Sequence, residues 1–287
     1  MAQVAVVILT TGNRPDELRR AVESALAQRD VGVTVVVVAN GVRASSLQLD
    51  GRSGIELVES ATNLGIPGGR NLGAERAACE LIAFLDDDAH FVDAGVLART
   101  ADRFGAEPRL GAVALRLVDE HGRTARRHVP RLGGSSAERS GPVAGFLGGA
   151  CVLRAAAFRD AGRYAGEFRY AMEETDLSLR LVDRGWQIQY DGTPAVFHPA
   201  TAPSRHADSA FTTMRNRVWL AHRNLPVPLA VLYVANWFTV TTARQPRSLP
   251  TLVRALLRGW STRPGPRRPI RWRSAWRLTR LGRPPVI

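Results

Sequence analysis

Apolar and polar positions alternate along the first part of the chain in a pattern that predicts strands separated by helices. Four short apolar runs, rich in branched side chains, have the form of parallel strands covered on both faces. They occupy residues 4–9, 33–38, 55–58 and 81–85. Between the first two runs, Pro15 and the apolar residues at helical spacing from Leu18 to Leu26 predict a helix.

A polar, glycine-rich stretch at residues 63–71 predicts a loop, followed by a helix through Leu72, Ala77 and Ala78. This order of elements is typical of an α/β fold, in which helices cover both faces of a mixed sheet. Polar residues that follow the strands of such a sheet gather at its carboxyl edge, where ligands bind. The residues expected at that edge are Thr10, Asn40, Asn63 and Asp86.

The second half of the chain has a less regular pattern. The predicted strands are residues 110–118, 146–153, 186–190 and 195–197. Two glycines inside the second of these strands indicate a bulge or a close approach by another group. Residues 123–141 have the composition of an irregular connection, and residues 177–184 predict a short amphipathic helix that ends at Gly185.

Charge is distributed unevenly along the 287 residues. Residues 1–208 contain 24 arginines and 26 acidic residues, whereas residues 209–287 contain 15 arginines and no acid. The net charge of +13 therefore comes from the last quarter of the chain. Lysine is absent from the whole sequence, and this exclusive use of arginine is typical of a GC-rich, bacterial source.

The cysteines and the N-terminus both favour a cytoplasmic protein. Cys79 and Cys151 lie in apolar surroundings without metal-ligand spacing, so we expect two free thiols and neither a disulfide framework nor a zinc site. The N-terminus leads directly into a strand, with no basic segment ahead of a long apolar one. This pattern argues against a cleaved signal peptide.

Two clusters of acidic residues stand out, one after a predicted buried strand and one before a predicted helix. They are Asp86, Asp87 and Asp88, and Glu173, Glu174 and Asp176. Because unpaired carboxylates are costly to bury, the first cluster favours a bound cation. Mg²⁺ and Mn²⁺ prefer oxygen ligands of this kind. The alternatives are a solvated turn for the first cluster and ordinary helix-start acids for the second.

Taken together and in order, the motifs of the first 200 residues resemble those of the family 2 inverting glycosyltransferases. The matching segments are residues 6–15, 63–73, 84–88, 148–149, 173–180 and 195–198. The resemblance implies the GT-A fold, a Rossmann-like fold of nucleotide-diphospho-sugar transferases. It also implies that a sugar moves from a nucleoside diphosphate sugar to an acceptor hydroxyl with inversion of configuration. The style of the motifs is similar to the rhamnosyl- and galactofuranosyltransferase branches, which build bacterial surface polysaccharides.

The resemblance also implies roles for both acidic clusters. Asp86 and Asp88 match the metal-binding pair, His198 matches a histidine that completes the metal or diphosphate site, and Mg²⁺ or Mn²⁺ is the expected ion. Asp88 is the expected direct ligand, and Asp87 the member that best tolerates substitution. Glu174 matches the general base, with Glu173 and Asp176 as orienting or acceptor-binding neighbours. Family members often have Asp at the Glu174 position, so the choice of base among these three acids stays open.

The donor nucleotide pocket follows from the same comparison of motifs. Its expected members are Thr10, Thr11, Arg14, Asn40, Asn63, Arg70, Asn71, Asp86 and Asp87, while Gly148 and Gly149 are expected in the sugar or acceptor pocket. One position departs from the family. Ala39 stands where an Asp usually contacts the pyrimidine, so a standard uridine or thymidine contact there needs a substitute such as Asn40.

Two other functions remain open on the sequence. A nucleotidyltransferase also combines a Rossmann-like sheet with acidic metal ligands, but residues 10–15 contain only one glycine and one arginine where such enzymes usually have a glycine-rich, basic loop. A non-catalytic sugar-nucleotide-binding protein is favoured by Ala39 alone. The donor sugar is not encoded by these motifs, and the acceptor is a glycan, a lipid-linked molecule or a small molecule.

The basic tail predicts a second unit, so the chain divides into a catalytic domain at residues 1–208 and an extension at residues 209–287. Its apolar stretch, residues 228–242, is too short and too polar to span a bilayer, and an interfacial helix is expected instead. Arginines interleaved with four tryptophans predict peripheral contact with anionic lipid at the inner face of the cell membrane. These are Trp237, Trp260, Trp272 and Trp276. The alternative is that the tryptophans pack on the catalytic domain; nucleic-acid binding ranks last because no such module is present.

Overall fold

A mixed β-sheet with helices on both faces forms the centre of the computed structural model, which describes residues 1–49, 51–132, 136–200, 209–262 and 264–287. Within those residues the sheet has nine strands, in the order β3-β2-β1-β4-β8-β6-β9-β5, with β7 also paired to β9. The strands are β1 (Gln3–Thr10), β2 (Gly32–Asn40), β3 (Ile55–Ser60), β4 (Leu81–Asp86), β5 (His90–Phe91), β6 (Leu110–Val118), β7 (Gly141–Pro142), β8 (Ala150–Arg154) and β9 (Gln187–Phe197). The predicted α/β class is confirmed.

The first four strands are parallel, and β8 runs antiparallel between β4 and β6. The first five helices cover the two faces of the sheet. They are α1 (Pro15–Leu26), α2 (Gly65–Arg76), α3 (Val96–Ala106), α4 (Ala155–Asp160) and α5 (Glu173–Asp183). The parallel arrangement brings the carboxyl ends of β1, β2 and β4 to one edge, where the first acidic cluster lies.

The glycine-rich stretch predicted as a loop is the first half of a helix, because α2 begins at Gly65. Side chains at Gly69 and Gly73 would collide with Leu9 and Val7 of β1, so these glycines allow the helix to pack closely on the strand. Gly65 adopts φ +74°, and a Cβ there would lie 2.6 Å from the carbonyl oxygen of Arg169. The helix ends at Arg76, so Ala77 and Ala78 lie beyond it, contrary to the prediction.

Three further boundaries differ from the predictions. Residues 146–149 lie outside β8, because this strand begins at Ala150. The two short strands predicted after Gly185 are one strand, β9, whose pairing with β6 shifts register near Pro194. The acids from Glu173 onward belong to α5, which therefore begins four residues before the predicted helix.

Four α-helices follow the sheet in the described part of the chain. They are α6 (Ser209–Asn224), α7 (Val227–Arg244), α8 (Leu249–Ser261) and α9 (Trp272–Arg280). Three of them, α6, α7 and α9, contribute to the hydrophobic core of the sheet, whereas α8 packs against α6 in a separate small cluster. Trp219 of α6 and Leu278 of α9 are buried in the same apolar cluster as Phe168 and Leu181. The boundary predicted after residue 208 falls on residues 201–208, which lie outside the described residues, and the division into two domains stays a prediction.

Among the described helices, none combines the length and the apolar character that crossing a membrane requires.

Candidate active site

The first acidic cluster lies where β4 ends, and the loop after β1 holds it in place. Thr10 is the last residue of β1, and its hydroxyl donates to a carboxylate oxygen of Asp87 at 2.7 Å. Arg14 donates to Asp87 at 3.1 Å and forms a short ion pair with Asp88. Burial raises the pKa of Asp87, against the opposing effects of Thr10 and Arg14. The half-buried Thr11 follows Thr10 in the same loop.

Asp86, Asp88 and His198 form a group with the donor atoms of a metal site. One ligand atom from each residue lies within 4.8 Å of the others. His198 follows β9, and its Nε2 lies 3.4 Å from Asp88 Oδ1. Its Nδ1 lies 2.9 Å from the carbonyl oxygen of Pro199, which can only accept, so Nδ1 donates this hydrogen bond and Nε2 is the ring nitrogen that faces Asp88.

Two carboxylates and an imidazole nitrogen suit a divalent ion such as Mg²⁺ or Mn²⁺, so these residues fit the predicted metal site.

A buried arginine connects this group to the second acidic cluster. Arg70 belongs to α2, is 4% exposed, and donates to Asp86 Oδ1 at 2.8 Å. Its other terminal nitrogen lies 3.6 Å from Glu174 and 3.9 Å from Glu173. Burial alone would lower the pKa of Arg70, but the surrounding acids, Asp86 foremost, raise it above its usual value. Arg70 is therefore a permanent cation between the two clusters.

Glu173 and Glu174 occupy the first turn of α5, yet their surroundings differ. The Glu174 side chain is 24% exposed, and its Oε1 accepts a hydrogen bond from the Gly148 backbone N–H at 3.2 Å. The Glu173 side chain is 2% exposed, and its Oε2 is buried without a hydrogen-bond partner. Burial raises the pKa of Glu173 well above its usual value, and the neighbouring charge of Glu174 adds to this effect. Glu174 is therefore the more accessible of the two carboxyl groups, whereas burial favours the neutral form of Glu173.

Gly148 and Gly149, which directly precede β8, lie against the charged side chains of Arg70, Glu174 and Asp86. A Cβ at Gly148 would collide with Arg70 and lie 2.5 Å from a Glu174 oxygen. At Gly149 it would collide with the Asp86 carboxylate. The expectation that another group closely approaches these glycines is confirmed, although both precede the strand.

The predicted nucleotide-pocket asparagines make internal hydrogen bonds. Asn40 accepts from the Leu64 N–H at 2.8 Å and donates to Asn63 at 3.1 Å. Asn71 both donates to and accepts from the backbone of Tyr164, at 2.9 and 3.1 Å. These amides order the loop and helix around Arg70. Ala39 is fully buried in the apolar core on one face of the sheet.

Asp176 lies apart from the other two acids of its cluster. Its carboxylate is fully buried and accepts hydrogen bonds from Arg180 of α5 and from Arg223 and Asn224 of α6. Asp176 therefore links α5 to α6, whereas Glu174 contacts Gly148.

The sequence reasoning missed Asn216, which supports the segment leading into α5. This residue is fully buried, and its Nδ2 lies 3.1, 2.7 and 2.9 Å from the carbonyl oxygens of Phe168, Tyr170 and Ala171. The available signal was an amide inside a helix whose neighbours Met214 and Val218 are apolar. Such a residue, when buried, needs partners.

Comparison with known proteins adds a family and a fold. The model of glycosyl transferase family 2 matches residues 6–162, more than half of the chain. No curated protein matches the chain in sequence. Among solved structures, S. aureus TarS 1-349 in complex with UDP-GlcNAc has a TM-score of 0.65 and 16% identity, and the match covers 92% of this chain and 82% of that one.

A crystal structure of GalNAc-T7 with UDP, GalNAc and Mn²⁺ has a TM-score of 0.61 and 14% identity, over 77% of this chain. The match spans 47% of GalNAc-T7 and 39% of the longer TarS structure, so this chain corresponds to less than half of either. At these identities the likeness establishes the fold alone, which is GT-A.

Proposed function

Because this chain belongs to glycosyl transferase family 2, we propose that it transfers a sugar from a nucleoside diphosphate sugar to an acceptor hydroxyl by a single, inverting displacement. The observation that carries the proposal is the position of Arg70 between Asp86 and Glu174. In the proposed site, the diphosphate and the proton acceptor lie on opposite sides of this buried cation. Such a separation suits a displacement in which a hydroxyl attacks from one side and a diphosphate leaves from the other.

Asp86, Asp88 and His198 would hold the metal ion, Mg²⁺ or Mn²⁺. When bound, the ion neutralises the negative charge of the departing diphosphate. Arg14 and Arg70 add two fixed positive charges on either side of this cluster. Together with Thr10 and Thr11, they form the donor side of the proposed site.

Glu174 is the proposed general base. Its exposed carboxylate is held by the Gly148 N–H, and a hydroxyl approaching from solvent can reach it. Burial raises the pKa of Glu173 and favours its neutral form, and the proposed role of this residue is to position its neighbour Glu174. For Asp176, the hydrogen bonds to α6 favour a structural role over the predicted contact with the acceptor.

The proposal also covers the identity of the donor and of the glycan product. The GalNAc-T7 structure contains UDP and the TarS structure contains UDP-GlcNAc, so UDP-sugars are the first donors to test. Nucleotides with other bases follow, since Ala39 provides no acceptor for a pyrimidine imino group. The style of the motifs favours a rhamnosyl- or galactofuranosyltransferase that acts in bacterial surface glycan synthesis.

A Glu174→Gln variant tests the proposal directly. Donor affinity, measured by calorimetry with Mn²⁺ against a panel of nucleoside diphosphate sugars, should change less than about threefold, while turnover should fall by roughly 10²–10⁴. Glu173→Gln is the matched control, because it removes the neighbouring carboxylate without removing the proposed base. Wild-type turnover in Glu174→Gln would reject Glu174 as the base. Donor binding without turnover in the wild-type protein, across a broad acceptor panel, would favour a non-catalytic sugar-nucleotide-binding protein.

The C-terminal helices support a proposed contact with an anionic membrane. Trp260, Trp272 and Trp276 are 60–66% exposed, whereas Trp237 is partly buried and stacks against Arg217. Exposed aromatic residues among arginines suit the interface of an anionic bilayer. We expect flotation with phosphatidylglycerol-containing vesicles that is lost in Trp260→Ala/Trp276→Ala but kept in Trp186→Phe. No flotation at low salt would end this idea.

A further inference from the structure

A cavity of about 280 Å³ lies between α6 and α7, beside the segment that leads into α5. Its volume is near the lower end of the range for small-molecule sites. The residues of its wall that carry the argument are Tyr170, Thr213, Arg217, Trp237, Thr241 and Arg244.

The wall of this cavity has a largely buried cation without a carboxylate partner. Arg217 donates to the Tyr233 hydroxyl at 3.1 Å, and its guanidinium carbon lies 3.5 Å from the centre of a Trp237 ring. Among the described residues no acid forms an ion pair with Arg217, and residues 209–287 contain no acid at all. Burying an arginine without a counter-charge is unfavourable, so an anion in the cavity would offset that cost.

Other residues of the wall add further donors. Arg244, Thr213 and Thr241 contribute a second guanidinium group and two hydroxyls to the lining of the cavity. The Trp237 ring, which stacks on Arg217, lines the same cavity. Donors gathered around one cavity, with no carboxylate paired to Arg217 among the described residues, suit an oxygen-rich ligand.

Tyr170 connects the cavity to the proposed acceptor side of the active site. Tyr170 and Ala171 line the cavity, and they precede α5 by only a few residues. The first turn of α5 carries Glu174. The cavity therefore borders the segment that leads directly to the proposed base.

We propose that this cavity binds the phosphate group of a phosphorylated acceptor, an inference that rests on the proposed glycosyltransferase function. Two guanidinium groups and two hydroxyls supply more donors and more positive charge than a carboxylate with two oxygens needs. They suit a phosphate or diphosphate, whose oxygens are more numerous and more highly charged. The acceptor is then either a lipid-linked phosphate or a water-soluble sugar phosphate, which share this chemistry.

The test follows the indole N–H of Trp237 by NMR during titration with inorganic pyrophosphate in EDTA, on full-length protein with ¹⁵N-labelled tryptophan. Trp237→Phe identifies the resonance. We expect a saturable shift at Trp237 and none at Trp186, whose indole is bonded to Asp160 at 2.8 Å. Pyrophosphate that binds only at the donor site leaves Trp237 unchanged. Either that result or the absence of any shift at millimolar pyrophosphate would overturn the proposal. Because the titration uses wild-type protein, its outcome does not depend on whether a cavity variant folds.

Two variants identify the cation responsible. Arg217→Lys keeps the charge but loses the planar fork, so pyrophosphate should bind roughly tenfold more weakly. Arg247→Met removes an exposed arginine outside the cavity and should bind as the wild type does. Equal affinities in Arg217→Lys, Arg217→Met and wild type, with thermal melts showing folded protein, would reject Arg217 as a ligand and with it the site.

Farnesyl diphosphate, used below its micellar concentration, separates the two sources of phosphate. Affinity about tenfold above that of pyrophosphate indicates a lipid-linked acceptor, and equal affinity indicates a water-soluble one; both support the site. The proposed function fails independently, through donor binding without turnover in the wild-type protein across a broad acceptor panel. A Trp237 shift combined with that result would leave the phosphate site in place and remove the assignment as a transferase.

Discussion

Arg70 and Asp86 lie 2.8 Å apart, nitrogen to carboxylate oxygen, and Arg70 is the largely buried member of the pair. Asp86 ends the strand that carries the proposed metal site, whereas Arg70 belongs to the helix that the glycine-rich segment forms. The same guanidinium lies 3.6 Å from Glu174. One side chain therefore fixes the relative positions of the proposed leaving-group site and the proposed base.

Replacing Arg70 by Met should abolish most turnover and strongly destabilise the fold. Asp86, Glu173 and Glu174 would lose their shared cation, and breaking a buried pair by removing one partner costs about 3–5 kcal/mol. Chemical denaturation and kcat/KM measure the two effects. Arg76→Met is the matched control. Arg76 lies on the same helix but forms an exposed ion pair with Glu56, so its loss should change stability by less than about 1 kcal/mol. Unaltered turnover in folded Arg70→Met would contradict the bridging role.

A Glu173→Gln variant should make stability less dependent on pH. The folded-state pKa of Glu173 is raised, so its contribution to stability is present below the ordinary carboxyl pKa and is lost as pH rises towards the folded value. Gln reproduces the neutral side chain at every pH. The melting temperature of Glu173→Gln relative to wild type should therefore rise between pH 5 and pH 8. A constant difference across this range would mean that Glu173 is ionised in the folded protein.

The sequence was sufficient for the elements that depend on local periodicity. Short apolar runs predicted β1, β2 and β4 nearly to their ends, and Pro15 marked the start of α1. The helix at Gly65 was missed because its glycines serve tertiary packing against Leu9 and Val7, a reason that no local pattern contains. Gly148 and Gly149 were placed inside a strand for the same reason, because they make room for side chains that are distant in sequence.

The candidate site was predictable as a set of residues and not as an arrangement. Motif order indicated that the two acidic clusters belong together, but the sequence does not contain the distances that separate Glu174 from Asp176. These residues are two positions apart on a helix, so their side chains point in different directions, one to Gly148 and the other to α6. Buried partners such as Asn216, which lie far away in sequence, are visible only after folding.

Asp176→Asn should reduce stability without changing the chemistry. The substitution keeps the shape of the side chain but leaves Arg180 and Arg223 without their buried counter-charge, at a cost of about 3 kcal/mol. We expect kcat/KM to stay within about threefold of wild type below the melting transition. Asp160→Asn, which alters an exposed pair with Arg184, is the control and should cost under about 1 kcal/mol. A raised acceptor KM at unchanged stability would instead support acceptor binding by Asp176.

Asn216→Ala should impair catalysis through the backbone that carries the catalytic acids. Arg169, Ala171 and Met172 all have positive φ, at 58°, 64° and 73°, a conformation that costs non-glycine residues about 1–2 kcal/mol each. Asn216 contacts the carbonyl groups in this segment and so holds it in place. Without the amide, the segment should relax and move Glu174 away from Gly148.

The expected result for Asn216→Ala is a fall in kcat of roughly 10–100-fold with donor affinity preserved, since the donor side does not contact this segment through Asn216. Hydrogen exchange should rise at the backbone amides of residues 168–172 and stay unchanged in β1. Stability should fall by about 1–3 kcal/mol, because a buried amide partner is lost from the carbonyls. Asn224→Ala, about two turns further along the same helix, loses its bond to Asp176 and provides a control of similar instability. If both variants lose stability and neither loses turnover, Asn216 only stabilises the fold and does not position the base.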